Sequence, residues 1–190
     1  MNKKNTKSIK DLKKIIKQHL LDSLVHSYRK ISYNKPDIPK SIRTHALLIS
    51  WGGSGYMKPA SGTWGTLAGM PFAFILAYLT SPIMLIVFSA ILFFVGWYAT
   101  YKYEQATNKH DASEIVIDEV CGVFITLSVV PLELSYYILG FLLFRLFDIW
   151  KPYPIRNIDK LKTPFSVMYD DVLAGIFGAI TILGIQWLNI

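Results

Sequence analysis

The stretch IMLIVFSAILFFVGWYATY, residues 83–101, runs 19 residues without a charge. A helix needs roughly 20 predominantly apolar residues to cross a bilayer, so this stretch reads as a spanning helix and sets the frame for the rest. Before it, residues 67–79 form a shorter apolar run of 13, closed by Thr80-Ser81-Pro82. At about 1.5 Å per residue that run covers roughly 20 Å of a core of roughly 30 Å. It therefore either dips into the bilayer or extends into the glycine-rich segment ahead of it. After it, residues 120–144 are apolar apart from Glu133 and are interrupted by Pro131, and residues 172–190 carry no ionisable side chain. Taking 67–101 as one hairpin turning at Thr80-Ser81-Pro82, and 120–144 as a second turning at Pro131-Leu132-Glu133, brings the polar segments 52–66, 102–119 and 145–171 to one face. The expected fold is all-α: a membrane-embedded bundle built of helical hairpins. A soluble all-α bundle with the same stretches as its core is the alternative. Small residues four apart, Ala174/Gly178 and Gly175/Ala179, suit close helix packing in either solvent.

Composition supports the membrane reading. Hydrophobic residues make up 52% of the 190 and charged residues 17%, with mean hydropathy +0.34. Soluble domains carry about 25% charge, so disorder and low-complexity function are excluded. The single cysteine excludes a disulfide scaffold or thiolate cluster, and four scattered histidines argue against a multi-histidine metal centre. The net charge of +7 is unevenly placed: residues 1–45 hold 12 Lys/Arg against three Asp/Glu, and residues 46–190 hold eight against ten. Residues 1–45 thus read as a basic extension and linker, and 46–190 as the membrane-embedded domain. Within the extension, Ile9, Leu12, Ile16, Leu20 and Leu24 recur at helical spacing, which predicts a basic amphipathic N-terminal helix over residues 8–30. An anionic membrane surface is its natural partner; no base-reading motif points to nucleic acid. Lys102, Lys109, Arg145, Lys151, Arg156, Lys160 and Lys162 flank the apolar ends on the shared polar face, which the positive-inside bias assigns to the cytoplasm.

Seven of the ten carboxylates of residues 46–190 fall in three short stretches beside apolar runs. These hold Asp111, Glu114, Asp118 and Glu119; Asp148; and Asp170 with Asp171. If 110–119 is helical, Asp111 and Asp118 share a face, and Glu119 is turned about 100° from Asp118, so one of that pair points at a given centre. Carboxylates at a bilayer edge persist mainly when a cation or buried base neutralises them, and oxygen-only ligands suit Mg2+ rather than zinc. The competing reading is helix-start chemistry, because acidic residues favour helix N-termini. The loop from Gly52 through Lys58, Ser61, Gly62 and Thr63 is rich in backbone amides able to cradle phosphate, although no Walker motif closes it. Arg145 and Lys151 flank Asp148 as phosphate ligands or interface anchors, and His110 is a candidate proton donor or acceptor.

These four motifs, in this order, resemble the phosphatidylglycerophosphatase A family: the loop at 53–67, His110-Asp111 through Asp118-Glu119 to Gly122, Phe144-Arg145 through Asp148 to Lys151-Pro152, and Asp170-Asp171 to Gly175. The resemblance covers about residues 45–190. It implies a Mg2+-dependent enzyme of the bacterial inner membrane, its active site facing the cytoplasm, that removes the terminal phosphate of phosphatidylglycerophosphate to give phosphatidylglycerol. By resemblance, Asp111, Asp118, Glu119, Asp148, Asp170 and Asp171 correspond to the family's acidic positions, with Arg145 and Lys151 beside them. On this reading Asp118, Glu119, Asp148, Asp170 and Asp171 are the expected metal ligands, and His110, Asp111, Arg145 and Lys151 the expected catalytic residues. Lys58, Ser61, Gly62 and Thr63 are then substrate-binding. The family loop often reads Ala-Pro-Gly-Thr where this chain has Ala60-Ser61-Gly62-Thr63, and the basic extension lies outside the match. A phosphatase of soluble phosphate esters, or a non-enzymatic Mg2+ or anion carrier with acidic residues at mid-bilayer depth, are the alternatives.

Overall fold

A computed structural model describes Gln18 and residues 32–188 of the chain. The expected amphipathic helix over 8–30 lies, apart from Gln18, outside the described residues. The first described element, β1 (Ser32–Tyr33), pairs antiparallel with β2 (Met57–Lys58), and the Tyr33 ring meets Tyr56 edge-on. A short helix, α1 (Arg43–Ile49), lies between them.

The bundle follows. Helices α2 (Ser61–Leu79) and α3 (Met84–Thr107) form the first hairpin, turning at 80–83. Helices α4 (Ile117–Leu127) and α5 (Leu134–Trp150) form the second, turning at 128–133, and a short α6 (Ile155–Asp159) leads into α7 (Pro164–Trp187). The apolar run at 67–79 resolves in favour of extension: α2 begins six residues earlier, at Ser61, and is 19 residues long. Helix α7 starts where a capping box fixes it, with the Thr163 and Ser166 side chains satisfying each other's backbone N–H groups and Pro164 at the first helical position.

Three of these helices, α2, α3 and α7, are long and apolar enough to cross a membrane. Their outward residues, among them Phe72, Ile75, Ile91, Phe94, Ile180 and Leu183, leave large apolar side chains exposed, a surface that water disfavours and a bilayer accepts.

The helices are held by backbone proximity as much as by side-chain bulk. A Cβ on Gly175 of α7 would overlap the Gly122 carbonyl of α4, and one on Gly178 would meet Thr126. Thr126 Oγ1 donates across this contact to Gly175 O at 3.0 Å, and Ser89 Oγ of α3 donates to Cys121 O of α4 at 2.9 Å. Small residues with such interhelical hydrogen bonds pack helices where apolar burial cannot drive them together.

Directions follow from the connections. Helices α2, α4 and α7 start, and α3 and α5 end, at the same end of the bundle. Gly175→Ala is expected to lower stability by about 1–3 kcal/mol through overpacking, seen as a lowered unfolding midpoint in detergent. Gly184→Ala, where a Cβ meets nothing within 4 Å, is the matched control; equal midpoints would remove the close crossing as a determinant of the fold.

Candidate active site

At the shared helix end lies a cavity of about 620 Å³. Its lining comes from every polar segment of the bundle: Ser61 from α2; His110 to Ser113 and Ile115 from the α3–α4 connection; Asp118 and Glu119 from α4; Asp148 and Lys151 from α5; Asp159 and Lys162; and Val167, Asp170 and Asp171 from α7. Sequence positions 61, 110–119, 148–151 and 170–171 therefore converge as the hairpin argument requires. Every carboxylate of residues 46–190 except Glu133 either lines this cavity or touches a residue that does.

The innermost part is an acidic triad. One carboxylate oxygen each from Asp118, Glu119 and Asp171 lie within 4.8 Å of one another. Asp118 and Glu119 occupy the first turn of α4, where the positive helix end favours them. Asp170 and Asp171 sit in the second turn of α7 and are 5% and 4% exposed, so helix-start chemistry does not account for them. Asp118 and Glu119 both reach the triad, although 100° apart on the helix. The Glu119 N–H donates to Asp118 Oδ1 at 3.0 Å, and the longer glutamate side chain spans the difference. Glu119 Oε2 and Asp170 Oδ1 are buried without a protein hydrogen-bond partner. Buried carboxylates of like charge and with spare acceptors are stable when a cation joins them. These three carboxylates can hold a metal ion, and their donor set is oxygen alone.

Basic groups balance the rest. Arg145 Nη1 lies 2.6 Å from Asp148 Oδ2, one helical turn along α5, and 4.0 Å from Glu119 Oε1. Lys151 caps α5 in the left-handed conformation and bridges Asp159 and Asp170, the latter at 2.7 Å. Burial pulls the Lys151 pKa down, but its hydrogen bonds to the two carboxylates and their charges outweigh this and raise it above the ordinary lysine value; it is a fixed cation.

Asp118 and Glu119 thus both point at the centre where one was expected, and two further expectations are corrected. Residues 110–116 are not helical: α3 ends at the left-handed Asn108, and α4 begins at Ile117. Asp111 (φ +47°) reaches the cavity through a turn instead. Nor do Gly52, Gly53 and Gly55 cradle the cavity. Gly53 and Gly55 fit against Tyr33 and the Glu114 carbonyl, and Gly52 and Gly53 adopt positive φ, so this part of the loop is a packed turn. Only the start of α2 reaches the cavity. There Gly62 lies so close that a Cβ would overlap Glu119 Oε1. Lys58 donates to the cavity-lining Ser113 Oγ at 2.6 Å; neither it nor Thr63, on the first turn of α2, lines the cavity itself.

Sequence reasoning missed Glu104, which lies 2.9 Å from His110 Nδ1, and Asp159; Lys162, expected only as a cation flanking the apolar ends, also lines the cavity. Glu104 and Asp159 are the two carboxylates left over once the three clusters and the turn residue Glu133 are set aside, and that remainder was the available signal.

The sequence profile described as phosphatidylglycerophosphatase A matches residues 47–186. The chain is similar to phosphatidylglycerophosphatase A of Haemophilus influenzae, with 43% identity over 75% of this chain and 88% of the relative. It is also similar to phosphatidylglycerophosphatase A of Escherichia coli, 33% identical over 75% and 84%. A Bacteroides thetaiotaomicron protein provisionally named a phosphatidylinositol-3-phosphatase is 37% identical over 74% and 93%. No solved structure matches the chain.

Gly62→Ala is expected to displace the Glu119 carboxylate and weaken divalent-cation binding at the triad at least several-fold, measured by calorimetric titration, with the unfolding midpoint little changed. Unaltered affinity would separate the α2 start from the cation site.

Proposed function

The chain belongs to the phosphatidylglycerophosphatase A family and is a phosphatase, and we propose that it hydrolyses the terminal phosphomonoester of phosphatidylglycerophosphate, with Mg2+ at the Asp118–Glu119–Asp171 triad. The observation that carries this reading is the triad itself: three carboxylate oxygens within 4.8 Å of one another in a cavity at the polar end of an apolar bundle. An all-oxygen donor set suits a hard divalent cation. Asp148 and Asp170 border the triad and complete the ligand set expected from sequence. When bound, Mg2+ neutralises phosphate charge and lowers the cost of water attack.

The chain's own groups divide the remaining work. Lys151, anchored by Asp159 and Asp170, lines the cavity and stabilises the equatorial oxygens of the reacting phosphate, and Arg145, outside the cavity lining, adds positive charge from behind Asp148 and Glu119. The backbone N–H groups of Ser61, Gly62 and Thr63, at the start of α2, face the phosphate with the positive end of the helix. His110 lines the cavity with Nδ1 turned to Glu104; its Nε2 gives a proton to the departing glycerol oxygen. Asp111 orients that oxygen. The acyl chains stay beside the exposed apolar faces of the hairpins, so only the headgroup enters the cavity. The site faces the cytoplasm, the side on which the cationic flanks gather, in the bacterial inner membrane.

The Bacteroides relative's name favours phosphatidylinositol 3-phosphate as the second substrate to test. A carrier function is disfavoured by Glu133, which caps α5 at the exposed turn opposite the cavity.

Phosphate release from phosphatidylglycerophosphate should be lost on chelation, restored by Mg2+, and faster than release from phosphatidylinositol 3-phosphate or glycerol phosphate. A preference for either of the latter would overturn the substrate assignment. Asp118→Asn and Asp171→Asn are expected to lower turnover by roughly 100-fold or more with the unfolding midpoint retained; near-normal rates would remove the triad from the chemistry. Removing residues 1–30 is expected to weaken co-sedimentation with anionic vesicles while sparing turnover of detergent-dispersed substrate; undiminished binding would leave the extension without that role.

A further inference from the structure

We infer that Glu104 is a positioning residue that fixes the His110 ring so that Nε2, not Nδ1, meets the leaving oxygen. This inference rests on the role of His110 proposed above. Glu104 stands in the last turn of α3, and the chain reverses immediately after it: Asn108 adopts the left-handed conformation and its N–H donates to Glu104 O at 2.8 Å. The reversal carries residues 110 and 111 back over the Glu104 side chain. One carboxylate oxygen, Oε1, then accepts the Asp111 N–H at 3.1 Å and lies 2.9 Å from His110 Nδ1. The preceding residue ties the far side of the same connection, Tyr103 OH donating to Glu114 Oε1 at 2.6 Å.

The chemistry follows from the two ring nitrogens being inequivalent. An imidazole facing a carboxylate through Nδ1 keeps a proton there, and Nε2 becomes the nitrogen that exchanges protons with substrate. His110 lies on a non-helical connection and retains 34% side-chain exposure, and the Glu104 carboxylate at 2.9 Å is the contact that sets the orientation of its ring. Glu104 itself does not line the cavity and reaches the reaction only through the two residues it holds, the His110 ring and the Asp111 backbone. In the reaction, water adds to phosphorus and the bond from phosphorus to the glycerol oxygen breaks with its electron pair on that oxygen. His110, carrying a proton on each ring nitrogen, gives the Nε2 proton to that oxygen, and the proton shed by the attacking water returns to Nε2 through solvent.

The test uses the full chain in detergent and two substrates. One is phosphatidylglycerophosphate; the other is its analogue with sulfur in place of the bridging ester oxygen, which departs as a thiolate and needs no proton. Glu104→Ala is expected to lower kcat on the oxygen ester by about 10–100-fold with KM nearly unchanged, and to leave the sulfur analogue within about twofold of the unsubstituted chain. Glu104→Asp should recover part of the loss. His110→Gln should show the same selectivity more strongly, and the double variant should be no slower than His110→Gln alone. Equal slowing of both substrates by Glu104→Ala would mean that the carboxylate merely props the connection through Asp111, and would overturn the inference. Additive losses in the double variant would overturn it as well. If His110→Gln itself shows no selectivity between the substrates, the assignment of His110 fails and the inference falls with it. If His110→Gln is selective and Glu104→Ala is not, only the inference falls.

Discussion

The site depends on how closely α4 and α7 approach. Where Gly122 meets Gly175 neither helix has room for a Cβ, and the two run in the same direction from the polar end. Asp118 and Asp171 each stand four residues, about one turn, before their own helix's crossing glycine. The contact that brings the backbones together therefore also brings these carboxylates face to face. Burying like charges at such a distance is costly, and the surrounding architecture works against that cost. Arg145 and Lys151 are salt-bridged into the cluster, and the starts of α2 and α4 direct their positive ends at it. The remaining acceptors are left for a cation.

What could be read in the sequence was what runs along the chain. The spanning stretches, both hairpin turns and the convergence of 110–119, 148 and 170–171 follow from apolar runs punctuated by Thr80-Ser81-Pro82 and Pro131-Leu132-Glu133. What could not be read was set by contacts across it. Gly62 and Gly65 look like loop residues, yet they lie inside α2, because Glu119 and Val116 press against positions where a side chain would collide. The segment 110–116 carries acidic residues at helical spacing, but Asn108 ends α3 and the Val116 N–H is held by Ile49 O, so it forms a turn. Glu104 and Asp159 have no periodic signature; the sequence marks them only as carboxylates left over from the clusters, and their places come from partners in another segment, His110 and Lys151. The extension before residue 32 is predicted from its charge and periodicity alone.

The same residue types serve two purposes about one helical turn apart. Near the crossing, glycine and threonine allow helix backbones to touch and share hydrogen bonds, as Thr126 does with Gly175. At the cavity, glycine allows a helix start to reach a carboxylate, as Gly62 does with Glu119. Family membership is thus consistent with a fold in which small residues are needed for packing and for access to the reacting group alike.

Because the cavity opens at only one end of an otherwise apolar bundle, the two products part company by solubility. On the proposed function, inorganic phosphate would have a direct route into the aqueous phase, whereas the diacyl alcohol would stay in its leaflet and depart by lateral diffusion. On that reading, released phosphate would dilute into the aqueous phase while its former partner stays confined to two dimensions, so the two would rarely meet again at the cavity.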